Sequence, residues 1–129
     1  DEPWLDESLT QFVTWQYYID AYGEDGGSGF EQALRGRWQH VELAEIPIGL
    51  PVNAYHENEY SAIIYGRGAL FFEALALEMG SDNFDAFLRD YSESYLWKVA
   101  TSEDLKYLAE KHCTCDLTSL FSKWIYPIK

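Results

Sequence analysis

The sequence predicts an all-α fold, an irregular antiparallel bundle of about six helices with one long central loop. Three observations lead there. Apolar residues recur with a 3.6-residue period along most of the 129-residue chain. Glycines and prolines mainly punctuate that pattern at its breaks, and no stretch shows the strict alternation of a hairpin strand. At 47% hydrophobic and 17% aromatic, the chain is long enough for one real core and too short for two, so residues 1–129 are read as a single helical domain.

The first helix is expected over residues 4 to 22, with Leu5, Leu9, Phe12 and Val13 as its apolar stripe and Gly23 at its end. Glu7, Thr10, Gln11 and Thr14 share another, polar face, which meets either water or a wet cleft. Glu24-Asp25-Gly26-Gly27-Ser28-Gly29 reads as a loop, followed by a second helix over residues 29 to 43 that buries Phe30, Ala33, Leu34, Trp38 and Val41. From Glu45 to Glu59, Pro47, Gly49, Pro51 and Asn53 break the pattern into a loop of about fifteen residues, a length more often functional or supported by a neighbour than idle.

Helical spacing resumes near Tyr60 and runs to Met79, with Ile64, Gly68, Phe71 and Leu75 on one stripe and Ile63, Leu70, Ala74 and Leu77 beside it. A helix apolar around so much of its girth belongs in the middle of a bundle. Gly80 ends it. A fourth helix after Ser81 carries Phe84, Phe87, Leu88, Tyr91 and Tyr95, with Trp97 near its end. Thr101-Ser102-Glu103-Asp104 supplies hydroxyl caps and first-turn acids for a fifth, to about His112, and Asp116 caps a sixth bearing Leu117, Leu120, Phe121, Trp124 and Ile125.

A net charge of −13 repels phosphate backbones, and no basic cluster offsets it, so nucleic acid is excluded as a partner. No apolar run approaches the roughly 20 residues a membrane-spanning helix needs, so no transmembrane segment is expected. The chain begins at Asp1 without a leader and is expected to be a trimmed piece or a mature product. Cys113-Thr114-Cys115 is too short a step for an unstrained disulfide, which leaves free thiols as the expectation.

Two short segments could carry chemistry. Glu7 stands in a first helical turn, where the helix dipole stabilises a carboxylate whatever else it does. Ile64-Tyr65-Gly66-Arg67-Gly68 places two glycines in a strongly apolar helix, against helix propensity. Either they let another helix pack close, with Tyr65 an ordinary core aromatic, or Tyr65 lines a cleft beside a substrate chain. His40, His56 and His112 lie on three segments without the paired spacing by which one helix grips a metal, and each is read as a surface or satisfied histidine.

Trp4-Leu5-Asp6-Glu7-Ser8, then Tyr65-Gly66-Arg67-Gly68-Ala69, then the spaced Phe84, Phe87, Tyr91, Asp104, Leu117, Phe121 and Trp124 together resemble the membrane alanyl aminopeptidase family of zinc metallopeptidases, the gluzincins. The resemblance runs in order across nearly the whole chain. It corresponds to the C-terminal helical part of that family's thermolysin-like catalytic domain, just after its His-Glu-x-x-His helix. It implies that Glu7 is a zinc ligand, matching the glutamate of a Trp-Leu-Asn-Glu-Gly segment, and that Tyr65 is catalytic, matching the tyrosine of a Tyr-x-Lys-Gly-Ala segment that hydrogen-bonds the developing oxyanion. Asp6 and Ser8 stand where Asn and Gly are commonest, and Arg67 stands for Lys, with the same charge and a different donor geometry.

The chain lacks the His-Glu-x-x-His motif and the Gly-x-Met-x-Asn strand that helps hold the substrate's free amine. The resemblance therefore implies a fragment of a zinc-dependent aminopeptidase, zinc-bearing and acting on peptide substrates in the full-length protein, inactive and essentially zinc-free by itself. Its partners would be the rest of the catalytic domain and, through the apolar face left exposed, other copies of itself. The alternative is a noncatalytic helical peptide-binding or scaffold module of the same fold, or a helical interaction domain unrelated to peptidases. The enzyme reading requires Glu7 and Tyr65 to share one groove.

Overall fold

Residues 2–95 and 98–127 are described by the computed structural model, and every regular element among them is helical. α1 (Trp4–Gln39) is followed by a 3-10 turn (Val52–Ala54), a π-helical turn (Ser61–Arg67), α2 (Gly68–Met79), α3 (Ser81–Ser94), α4 (Ser102–Cys113) and α5 (Thr118–Trp124). The all-α class stands. Trp97, expected near the end of the fourth helix, lies outside the described residues.

The two helices expected before residue 43 are present as the two arms of α1, and the first stops at Gly23 as expected (φ 72, ψ −162), a conformation essentially confined to glycine. Trp15 Nε1 donates to the Gly27 carbonyl at 3.0 Å, the Tyr18 ring stacks on Phe30 at 5.2 Å, and Arg37 donates to Gln11 at 2.8 Å. Residues twelve apart in a straight helix would be about 18 Å apart, so these contacts make α1 an antiparallel hairpin of two arms. Glu24 to Gly29 is therefore helix rather than the expected loop. Gly27 serves close approach of the arms, because a β-carbon there would lie 2.5 Å from Ile19 Cγ1. The second arm stops at Gln39, short of residue 43, where Glu42 and Leu43 take left-handed φ of 56 and 57.

The buried face of the first arm is turned from the expected stripe: Trp4, Leu5, Ser8, Phe12 and Trp15 are buried, while Val13 is 53% exposed. The reason is where the neighbours lie. Trp4 packs edge-on against Phe71, and Phe12 against Phe84, both at ring distances of about 5.5 Å, so α2 and α3 cover that side. α2 sits in the middle as expected, with Ala69, Leu70, Phe71, Phe72 and Leu75 all buried, although Leu77 is 80% exposed at its far edge.

Both arms press on the π turn. A β-carbon at Gly66 would lie 2.8 Å from the Leu34 carbonyl oxygen and 3.1 Å from Trp38 N on the second arm. One at Gly68 would collide with Ser8 Oγ and lie 2.7 Å from Ser8 Cβ on the first. Ser8 Oγ donates to the Ile64 carbonyl at 2.6 Å, a side chain reaching into the ladder where the helix is widened. The close-packing explanation of the two glycines therefore holds.

Arg67 points to the opposite side and is 1% exposed. Its Nη1 donates to the carbonyls of Ile46 (3.0 Å) and Trp124 (2.8 Å), its Nη2 to that of Lys123 (3.1 Å), and its plane covers the Trp124 ring at 4.7 Å. The cation thus caps the C-terminal carbonyls of α5 and holds the central loop against them. Burial lowers its pKa to about 10, which leaves it charged at neutral pH. The same loop pairs Ile48 N and Gly49 N with the carbonyls of Trp124 and Ile125, and the Tyr55 hydroxyl reaches the carbonyls of Pro47 and Ile48. A neighbour supports this loop, as its length suggested.

The capping reading of α4 holds: Thr101 and Asp104 form a reciprocal capping box. Asp116, expected to cap α5, lies one residue before its N-cap Leu117, and its carboxylate accepts from Thr118 N at 2.9 Å. Cys113 and Cys115, expected as free thiols, are joined in a disulfide. Thr114 between them takes φ 52, and that left-handed step at the end of α4 brings their Cα atoms to 5.2 Å, within disulfide range.

Two outcomes follow from this packing. Gly68→Ala forces Ser8 out of its place and lowers stability by about 1–3 kcal/mol, read as a fall in the denaturation midpoint at unchanged m-value. Arg67→Met removes the guanidinium donor from the Ile46 and Lys123 carbonyls and leaves Ile48 N alone on that of Trp124, lowering stability by about 3 kcal/mol or more, whereas Arg67→Lys retains part of it in the same denaturant titration.

Candidate active site

The first turn of α1 is tied down from both ends. Glu2, just before it, accepts from Ser102 N at 2.9 Å and from the Ser102 hydroxyl, and the Trp4 indole donates to that same hydroxyl at 3.0 Å. One turn after Trp4, Ser8 is held on Ile64 O. Glu7 lies between these anchors, and Tyr65 follows directly after Ile64. The two anchors therefore set Tyr65 opposite Glu7.

The Tyr65 hydroxyl donates to Glu7 Oε2, across 58 residues of sequence. Both side chains are partly buried and line one pocket of about 230 Å³ together with Asp6, Thr10 and Gln11. The shared groove that the enzyme reading requires is present. Three of the four residues assigned to the polar face of the first helix, Glu7, Thr10 and Gln11, line it.

Around the pair, the Thr10 hydroxyl donates to its own helix at Asp6 O, 2.8 Å away. The Tyr60 ring meets Tyr65 edge-on at 6.0 Å, and its phenol is raised by burial first and then by the negative charge of Glu7. Arg37 Nη1 donates to Gln11 Oε1 at 2.8 Å and lies 3.4 Å from the Tyr65 carbonyl. Arg37 carries no local signal of a site role in the sequence, and the fold-back at Gly23 brings it to Gln11.

The histidines lie elsewhere. His112 Nε2 is 2.8 Å from Asp90 Oδ2, which holds the Asp90 carboxyl below its usual range, and His40 and His56 are exposed. Among the described residues, no three His, Cys, Asp or Glu side chains come together as a metal-holding group. The pocket's acidic groups are Glu7, engaged by Tyr65, and Asp6, exposed at its edge. Its chemistry is thus one anionic oxygen donor facing one phenolic hydrogen-bond donor.

Comparison with known proteins identifies the family. Residues 1–124 match the Peptidase family M1 domain. Probable aminopeptidase 1 of Sulfurisphaera tokodaii is 23% identical over 137 aligned residues, which cover 99% of this chain and 17% of that protein. The chain thus spans less than a fifth of the length of the curated relative it matches. No solved structure matches it. With a match over residues 1–124 of 129, the chain belongs to the M1 family of peptidases.

Proposed function

We propose that residues 1–129 are the C-terminal helical part of the catalytic domain of a zinc-dependent aminopeptidase, with Glu7 as one metal ligand and Tyr65 as the donor to the reacting carbonyl. One observation carries the reading: Glu7 and Tyr65, far apart in sequence, face each other in one pocket of an M1-family chain. The name of the matched relative, an aminopeptidase, supports the reaction class.

By its donor set this chain alone does not fit zinc. A catalytic zinc takes three protein ligands, commonly two imidazoles and a carboxylate, and the pocket offers the carboxylate with no histidine among its lining residues. Glu7 fits a single ligand position, which two imidazoles from the parent protein would complete. Bound zinc supplies Lewis acidity toward a carbonyl and a water of lowered pKa.

The chain's own residues have separate tasks. Glu7 is held in register by Ser8 on one side and by the Glu2–Ser102 anchor on the other, so its carboxylate is positioned before any ligand arrives. When Glu7 is engaged elsewhere, the Tyr65 hydroxyl is released to donate to the carbonyl oxygen of a bound peptide. A donor preorganised on a rigid helix stabilises charge there as the carbonyl is attacked.

Two measurements test this. In the full-length protein, Tyr65→Phe lowers kcat on an aminoacyl anilide on the order of 100-fold with zinc content intact, and Glu7→Gln lowers both zinc content and activity. Unchanged turnover in Tyr65→Phe would remove the proposed role. The isolated 129-residue chain is expected to be inactive and to hold no stoichiometric zinc by elemental analysis. One zinc per chain, lost in Glu7→Ala, contradicts the divided-site reading.

A further inference from the structure

We infer that Gln11, oriented by Arg37, is a second peptide-binding donor in this pocket and makes it selective for substrates that extend beyond a single carbonyl. The inference rests on the reading that the pocket receives a peptide.

The argument begins with what Arg37 can do. Arginine has donors and no acceptor, so the Gln11 atom it meets at 2.8 Å is the amide oxygen, and the side-chain NH2 is turned away from Arg37. Gln11 lines the pocket, and among the described residues its NH2 donates to no protein acceptor. The other donors there are engaged, Thr10 on Asp6 O and Tyr65 on Glu7. Asp6 and Glu7, when ionised, only accept. Gln11 is thus the pocket's uncommitted donor, and a backbone carbonyl is what it would take.

Spacing supports this. Gln11 follows Glu7 by four residues, which sets their β-carbons about 5–6 Å apart on one helix face. An extended peptide advances about 3.3 Å per residue, so a carbonyl one or two residues from the scissile one falls within reach of Gln11. Arg37 also approaches the Tyr65 carbonyl at 3.4 Å, so one guanidinium links the two donors that a peptide would meet. Arg37 acts through Gln11 and is a positioning residue.

The experiment compares an unblocked tripeptide with an aminoacyl anilide, whose sole carbonyl is the scissile one, on the full-length protein. Gln11→Met lowers the tripeptide-to-anilide ratio of kcat/KM about three- to tenfold, chiefly through KM. Arg37→Met shifts the ratio the same way, and Arg37→Lys recovers part of it. Should Gln11→Met fold poorly, Gln11→Glu, an acceptor of the same length, lowers the ratio as well. An unchanged ratio, or an equal loss on both substrates, overturns the inference. If Tyr65→Phe meanwhile loses anilide turnover, the peptidase reading survives and only the role of Gln11 falls; full turnover in Tyr65→Phe defeats both.

Discussion

Position 68 has room for a hydrogen and nothing larger. A β-carbon there would lie 2.7 Å from Ser8 Cβ, so the first arm of α1 and the junction of the π turn with α2 meet with no side chain between them. At that distance the Ser8 hydroxyl reaches the Ile64 carbonyl, and the hydrogen bond fixes both the sliding and the rotation of one helix against the other. Glu7 and Tyr65, the neighbours of these two residues in sequence, are brought together by this contact and by the Glu2–Ser102 anchor. In the motif this segment resembles, glycine is commonest at position 8, and serine here adds a hydrogen bond while glycine at 68 supplies the space.

The same turn sends its charged residue the other way. Arg67 follows Tyr65 by two positions, yet its guanidinium is buried among the carbonyls of Ile46, Lys123 and Trp124. Burying a cation is unfavourable unless its donors are satisfied, and here all but Nε are paired. The planar fork of arginine reaches three carbonyls and lies over the Trp124 ring. A lysine offers three donors at one point and no plane to stack, so the exchange of Arg for Lys alters the support behind the pocket rather than the pocket itself.

What the sequence made legible was local. Periodicity found the helical segments, and the hydroxyl and acid of Thr101 and Asp104 marked a true cap, because those signals act within a few residues. The glycine-rich run after residue 24 misled for a physical reason: glycine permits a turn and also permits contact, and only the opposing Ile19 side chain decides which use applies. The Cys113–Cys115 pair depended on one left-handed residue, Thr114, a conformation unusual for a β-branched side chain and not foreseeable from its identity. For the site, Glu7 and Tyr65 were found through resemblance, since either alone reads as a first-turn acid or a core aromatic. Arg37 had no local signal at all.

The Glu2–Ser102 contact spans 100 residues and joins the start of the chain to the start of α4. Its location couples the order of the pocket to a remote helix end. Opening the first turn of α4 would release Glu2, then the Trp4 indole, and then the turn that presents Glu7. The position of the carboxylate is thus tied, through Glu2 and Trp4, to the first turn of α4 as well as to the residues around it.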